Sequence, residues 1–125
     1  MAKQPKREVN LLELVPRRIA EHEIDESGIV TVLMPRFRNR IMKRLFEPRH
    51  KSPFIRIKLD EVGSAVWRLC DGSRNIGAIA EDLRGTFGER IEPCHDRLGK
   101  FFFQLERARF IEYVNFEECL RARGV

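Results

Sequence analysis

Few side chains in this 125-residue chain are of the types that perform chemistry, and their spacing argues against most of it. The nucleophile candidates are Cys70, Cys94 and Cys119. Cys94 stands beside His95, which suggests a thiol and its base, but adjacent residues on a helix project in different directions and make a poor catalytic pair. An odd number of widely spaced cysteines without a C-x-x-C pair supports neither a disulfide framework nor a zinc site. Cys70, at the expected end of a helix, reads as a small buried apolar residue. His22 falls in the exposed register of an expected strand and reads as solvated rather than as a metal ligand. There is no glycine-rich phosphate loop, no metal-ligand cluster and no Ser, His and Asp set with legible spacing. The sequence therefore predicts a protein that is not an enzyme, with no cofactor and no metal.

Charge is the stronger signal. The formal net charge is +5, yet residues 36–58 alone carry nine basic side chains and one acidic one, whereas residues 1–35 carry five and six and residues 59–125 ten and twelve. The excess belongs to one segment, which is the candidate electrostatic contact. Within it Phe37, Ile41 and Leu45 repeat every four residues beside Met42 and Phe46, while Arg36, Arg38, Arg40, Lys43 and Arg44 fall largely outside that stripe. This outlines a basic amphipathic helix over 36–53. Its apolar stripe could pack on its own domain, or its cations could meet a partner or an anionic surface: an acidic protein face first, a membrane surface or nucleic-acid phosphate less readily.

These residues must be positioned by a small fold. At 125 residues the chain is expected to form a single domain over 10–116, with a flexible N-terminus at 1–9 and a C-terminal tail at 117–125. Hydrophobic content of 42% with 34% charged residues suits a globular protein, and no apolar run approaches the roughly 18 residues of a membrane span. The start, MAKQPKREVN, lacks the apolar core of a secretory signal, so a cytoplasmic location is expected.

Asn10 to Val15 reads as a helical turn ended by Pro16, its leucines docking over a sheet edge. Arg18–Ile24 and Gly28–Met34 read as a β-hairpin around Asp25-Glu-Ser-Gly28, and the unbroken apolar run Ile29–Met34 predicts cover on both faces, or on one by Leu11–Val15. Phe54 to Leu59 alternates, with Ile55, Ile57 and Leu59 on one face and Phe54, Arg56 and Lys58 on the other. Asp60 is an N-cap for a helix with Val62, Val66 and Leu69 as its stripe; Asp71-Gly72 stops it, and Asn75 caps the next, which buries Ile76, Ile79, Ala80, Leu83 and Phe87. Pro93 is expected at the first helical position of a helix to about Arg109, with Leu98, Phe101, Phe102, Leu105 and Ala108 inward. Phe103 lies nearly opposite and needs cover, from the N-terminal segment or from Tyr113 and Phe116; otherwise it walls a groove or meets a second copy. Phe110–Phe116 is expected to add a short wing-like strand, and the tail carries no signal.

The stretch LDEVGSAVWRLCDGSRNIGAIAEDL, residues 59–83, followed by RLGKFFFQLERARFI, residues 97–111, resembles the PqqD-like family from about Ile55 to Tyr113. The combination that carries it is L-[DN]-E-x-[GA], then CDG, then a helix and F-x-x-Q-L-x-x-x-x-F-I. The resemblance implies an α+β, winged-helix-like fold: a three-stranded antiparallel sheet followed by three helices, here with the basic segment inserted between strands 2 and 3. It also implies a non-catalytic recognition element of ribosomal peptide modification. Such a module binds a precursor or leader peptide as a strand beside the third strand and against the third helix. It then presents the peptide to a modifying enzyme such as a radical SAM protein. The peptide-binding residues it points to are Phe54, Ile55, Arg56, Ile57 and Lys58 on the strand and Arg97, Lys100, Phe101 and Gln104 on the helix. Arg56 and Lys58 would favour acidic peptide residues, and Ile57→Pro would test the edge by removing a main-chain donor. The leucine-rich N-terminal segment and the basic connection are additions to the minimal family domain, which points to a peptide other than that of pyrroloquinoline quinone (PQQ) synthesis itself. The exposed edge could equally receive a second copy, so monomer and homodimer both stay open.

The alternative is a winged-helix-type nucleic-acid-binding or adaptor protein, suggested by a pI near 9.5 and the basic 36–58 segment. Its recognition helix would be Pro93–Arg109, whose first residues, Cys94-His-Asp-Arg97, offer base edges one arginine and an unfavourable aspartate.

Overall fold

The computed structural model describes residues 10–35 and 54–124. The expected flexible N-terminus and the expected basic helix, with Arg36, Arg38, Arg40, Lys43 and Arg44, lie outside the described residues. What is described is an α+β structure.

Two Asx caps set the helical frame. Asp60 and Asn75 each sit in extended backbone just before a helix, and each side-chain oxygen accepts from the amide three residues on, Gly63 N at 2.7 Å and Ala78 N at 2.8 Å. They satisfy amides that the first turn leaves without intrahelical partners. From them start α1 (Glu61–Leu69) and α2 (Ile76–Phe87). Between the helices, Asp71 accepts from the Ser73 amide and hydroxyl, and Gly72 takes φ 84°, a conformation that a Cβ would oppose. A short 3-10 turn, Gly88–Ile91, leads to α3 (Cys94–Arg107). Pro93 is the residue before α3 rather than its first, one position earlier than expected. The expected tail is in fact helical, α4 spanning Phe116–Gly124.

The strands form two small sheets. Strand β1 (Pro16–Arg18) pairs antiparallel with β5 (Ile111–Tyr113), and β2 (Glu21–Ile24), β3 (Val30–Pro35) and β4 (Phe54–Lys58) form an antiparallel sheet in the order β2-β3-β4. The strand expected over Arg18–Ile24 is therefore split. The Ile19 and Ala20 amides both donate to the Phe110 carbonyl, at 2.9 and 3.2 Å, and this turns the chain from one sheet into the other. The hairpin turn is as expected: the Asp25 carboxylate accepts from the Ser27 amide and hydroxyl and from the Ile29 amide.

Val30 and Val32 of β3, Val66 and Trp67 of α1, the whole expected stripe of α2, and Leu98, Phe102 and Leu105 of α3 close the core. Trp67 is fully buried, edge-on to His22 at 5.7 Å and to Phe110 at 6.4 Å between ring centroids. Two expectations change here. The buried face of α1 runs through Gly63, Val66, Trp67 and Cys70, so the helix is turned by about one residue from the Val62–Val66–Leu69 stripe, and Val62 and Leu69 are half-buried. His22 is not solvated: it stands opposite buried Val32 and points inward to the Trp67 ring.

Among the described residues the one buried polar or charged side chain is Ser64, whose hydroxyl accepts from the Val30 amide at 2.8 Å and ties α1 to β3. The leucine-rich segment forms a 3-10 turn, Leu11–Glu13, capped by Asn10, and it docks on helices rather than on a sheet edge. Gly77 of α2 makes room for it, since a Cβ there would come within 3.3 Å of the Leu12 carbonyl. The second face of β3 is consequently only half covered, at Thr31 and Leu33.

Candidate functional site

Strand β4 is paired on one side only, by β3, and no described strand lies along its other edge. Which of its main-chain groups face that edge follows from the register. Thr31 pairs with Lys58, Val32 with Ile57 and Leu33 with Arg56, and the Leu59 amide donates to the Val30 carbonyl at 2.8 Å. Antiparallel ladders alternate bonded and non-bonded pairs. Leu59, Ile57 and Ile55 therefore bond inward to β3, and the amides and carbonyls of Arg56 and Lys58 turn to the open edge. Ile57 belongs to the inner ladder, so Ile57→Pro would break the sheet instead of testing the edge. The side chains of Ile57 and Leu59 pack on the core, while Ile55 is 37% exposed on the same face. Arg56 lies on the opposite face in an ion pair with Glu23, whose hydrogen bond and charge hold the Glu23 carboxyl below its usual range. The Arg56 cation, expected to favour acidic peptide residues, thus pairs with a carboxylate of the sheet, both side chains being more than half exposed.

Beyond the end of β4 opens a cleft of about 530 Å³. One wall is α3. Arg97, Lys100, Phe101 and Gln104 recur at the spacing that puts residues on one helical face, and all four line the cleft. The other wall is Lys58, Leu59 and Asp60, followed by Val62, Gly63 and Val66 of α1, with Ile91 and Leu98 at the base. Gly63 has a packing reason: a Cβ built there would sit 3.4 Å from the Phe101 ring and 3.1 Å from the Asp60 carboxylate. Its missing side chain lets Phe101 close on α1. Arg97 donates from Nη1 to the Arg90 carbonyl at 2.7 Å, and Lys100 reaches Asp96 at 3.4 Å.

Of the nine expected peptide-contact residues, the cleft brings together Lys58, Arg97, Lys100, Phe101 and Gln104. Ile55, Arg56 and Ile57 run along the strand outside it, and Phe54 lines a separate hollow with Ile19, Leu33 and Phe110. The residues that sequence reasoning missed are those of the β4–α1 junction. The L-D-E-x-G motif carried their signal, read there as a helix start and not as a cleft wall. Phe103, on the far side of α3, is 59% exposed with the Arg107 guanidinium 5.6 Å over its ring, so among the described residues the cover expected from the N-terminal segment or from Tyr113 and Phe116 is not made.

The thiols do not form a reacting centre. Cys94 is buried with Sγ towards the Ala80 carbonyl, burial pushes its thiol up, and His95 is exposed on another face. Cys70 donates to the Val66 carbonyl at 3.2 Å, and burial pushes its pKa up to about 12. Such thiols lack the thiolate character of a nucleophile. Among the described residues no His, Cys, Asp and Glu group could hold a metal ion, and no helix is long and apolar enough to cross a membrane.

Among the described residues an open strand edge thus runs into an apolar cleft against a helix. Residues 55–111 match the family model described as Coenzyme PQQ synthesis protein D (PqqD), which makes this stretch of the chain PqqD-like. The match runs from β4 to β5 and includes every residue lining the cleft; β1, β2, β3 and α4 lie outside it. No curated protein and no solved structure matches the chain.

Proposed function

We propose that the protein is a non-catalytic accessory module, related to PQQ synthesis, that binds a precursor peptide. The peptide adds as a strand along β4, and the module presents it to a modifying enzyme. The observation that carries this reading is the open β4 edge, with Arg56 and Lys58 offering main-chain donors and acceptors next to a cleft walled by α3. Strand addition draws affinity from main-chain hydrogen bonds and selectivity from pockets for alternate side chains, and both parts are present in one continuous surface. Nothing in this role requires a reactive thiol or a metal. We read the sheet, the three helices after it and the short strand β5 as winged-helix-like, and residues 10–116 as one unit. Three buried free cysteines support a reducing, cytoplasmic setting.

The test is an amide chemical-shift titration of the labelled chain with leader-like peptides encoded near it, with short duplex DNA as control. Saturable shifts at Arg56, Lys58 and residues 97–104 are expected with peptide, and none there with DNA. Peptides that leave β4 and α3 unmoved at saturating concentration would overturn the reading.

A further inference from the structure

The cleft is apolar at its base and cationic at its rim. Val62, Val66, Leu98 and Phe101 supply the apolar part, and Lys58, Arg97 and Lys100 the charge. The one carboxylate in the lining, Asp60, is committed to the Gly63 amide at 2.7 Å. Among the described residues no carboxylate forms an ion pair with Arg97 or Lys58. Lys100 has Asp96 within 3.4 Å, but both are largely exposed, and such a pair contributes little. Arg97 is held by one N–H on the Arg90 carbonyl, which fixes its place while leaving most of its fork of donors for a ligand.

Resting on the peptide reading above, we infer that this cleft selects a strand bearing a bulky apolar residue and, two positions away, a carboxylate met by Arg97 and Lys100. The spacing follows from strand geometry. Side chains alternate between faces, so a residue that turns into the cleft shares its face with those two positions removed, while its immediate neighbours face the other way. On that other face Arg56 pairs with Glu23 across the sheet, away from the apolar base of the cleft. The acid-reading groups that share the cleft with its apolar base are on α3, where Arg97 adjoins Leu98 and Lys100 adjoins Phe101. A planar carboxylate suits the arginine fork, and the positive rim repels a cationic peptide at the same position.

Three synthetic nonapeptides of valine and threonine around a central phenylalanine test this. One carries glutamate two positions from the phenylalanine on both sides, one carries glutamine there, and one carries the glutamates next to the phenylalanine. Titrated into the full chain, the first is expected to bind roughly three- to tenfold more tightly than the other two. The advantage should shrink with added salt and vanish in the Arg97→Gln/Lys100→Gln variant, whose exposed substitutions leave the rest of the amide spectrum unchanged. Equal affinity for the three peptides, with saturable shifts at the cleft, overturns the acidic selectivity and leaves strand addition standing. An advantage that survives in the double variant also overturns it. No shift at Arg56, Lys58 or α3 with any peptide overturns both readings.

Discussion

Strands β1 and β4 are both short, yet their edges are treated in opposite ways. Strand β1 is held on both sides. It pairs with β5, and on its other edge the Arg18 amide donates to the Cys70 carbonyl at 3.0 Å while the Gly72 amide donates to the Pro16 carbonyl at 2.9 Å. The Arg18 guanidinium adds bonds to the Trp67 and Arg68 carbonyls, closing the end of α1. Strand β4 has β3 on one side, and among the described residues no strand lies along its other edge, at whose end the cleft opens. A row of unpaired main-chain groups invites association, and folded proteins usually cover or blunt it. Among the described residues β1 is covered and β4 is left open, which is the contrast that the proposed peptide binding would use.

The largest test of this contrast is a proline in each strand. Arg18→Pro deletes the bond to Cys70 and displaces the guanidinium from the end of α1, and is expected to cost about 3 kcal/mol or more in urea unfolding. Lys58→Pro removes a donor that faces the open edge. It should change stability by no more than about 1 kcal/mol and weaken peptide binding by about tenfold. Ile57→Pro, one residue away but on the inner ladder, should behave like Arg18→Pro. Equal stability losses for Lys58→Pro and Ile57→Pro in denaturant titrations would erase the distinction between the two edges of β4.

A middle-sized effect is expected at the junction between strand and helix. Asp60→Ala removes the α1 cap and should cost about 1 kcal/mol, read as a lower urea midpoint. Because Asp60 also lines the cleft as its one carboxylate, the same change should bind an acidic peptide no worse, and a fall in that affinity would contradict the charge argument.

The smallest effect is a pH dependence on the covered side. Asp71, which bridges to Arg17 of β1, has its carboxyl lowered from 3.8 by the Ser73 hydroxyl and then the Ser73 amide. A carboxyl depressed on folding contributes stability above its unfolded pKa, and that contribution is lost as pH falls from about 4 through the folded value. Melting temperatures taken downward from about pH 5 should therefore fall slightly less steeply for Asp71→Asn than for the parent. An identical slope would remove the carboxylate from the clamp on β1.

Cap chemistry and periodicity carried far in this chain. The Asp60 and Asn75 caps, the hairpin turn at Asp25 and the buried stripe from Ile76 to Phe87 were legible because each depends on neighbours within a turn or two. Trp67, His22 and the split at Ile19–Ala20 were not. Their placement depends on Phe110, 91 residues from Ile19, whose carbonyl takes two amides and whose ring meets the indole. The helical character of residues 116–124 was missed because the segment has little apolar periodicity. It is tied back to Glu13 and Val15 by Asn115, whose amide bonds both main-chain groups.

The candidate site divides in the same way. Alternation in Phe54–Leu59 and the face shared by Arg97, Lys100, Phe101 and Gln104 were determined by the sequence itself, since strand and helix periods are local properties of the backbone. So was the PqqD-like character of residues 55–111. Only the tertiary structure decided which main-chain groups of β4 face outward, because register depends on the pairing with β3. It also decided that Asp60 and Gly63 form a wall of the cleft, and that Arg56 is matched by Glu23 while Arg97 is not matched by any described carboxylate. These depend on how α3 lies against α1 and on how β2 and β4 flank β3. No spacing along the chain encodes the distance between groups that packing alone brings together.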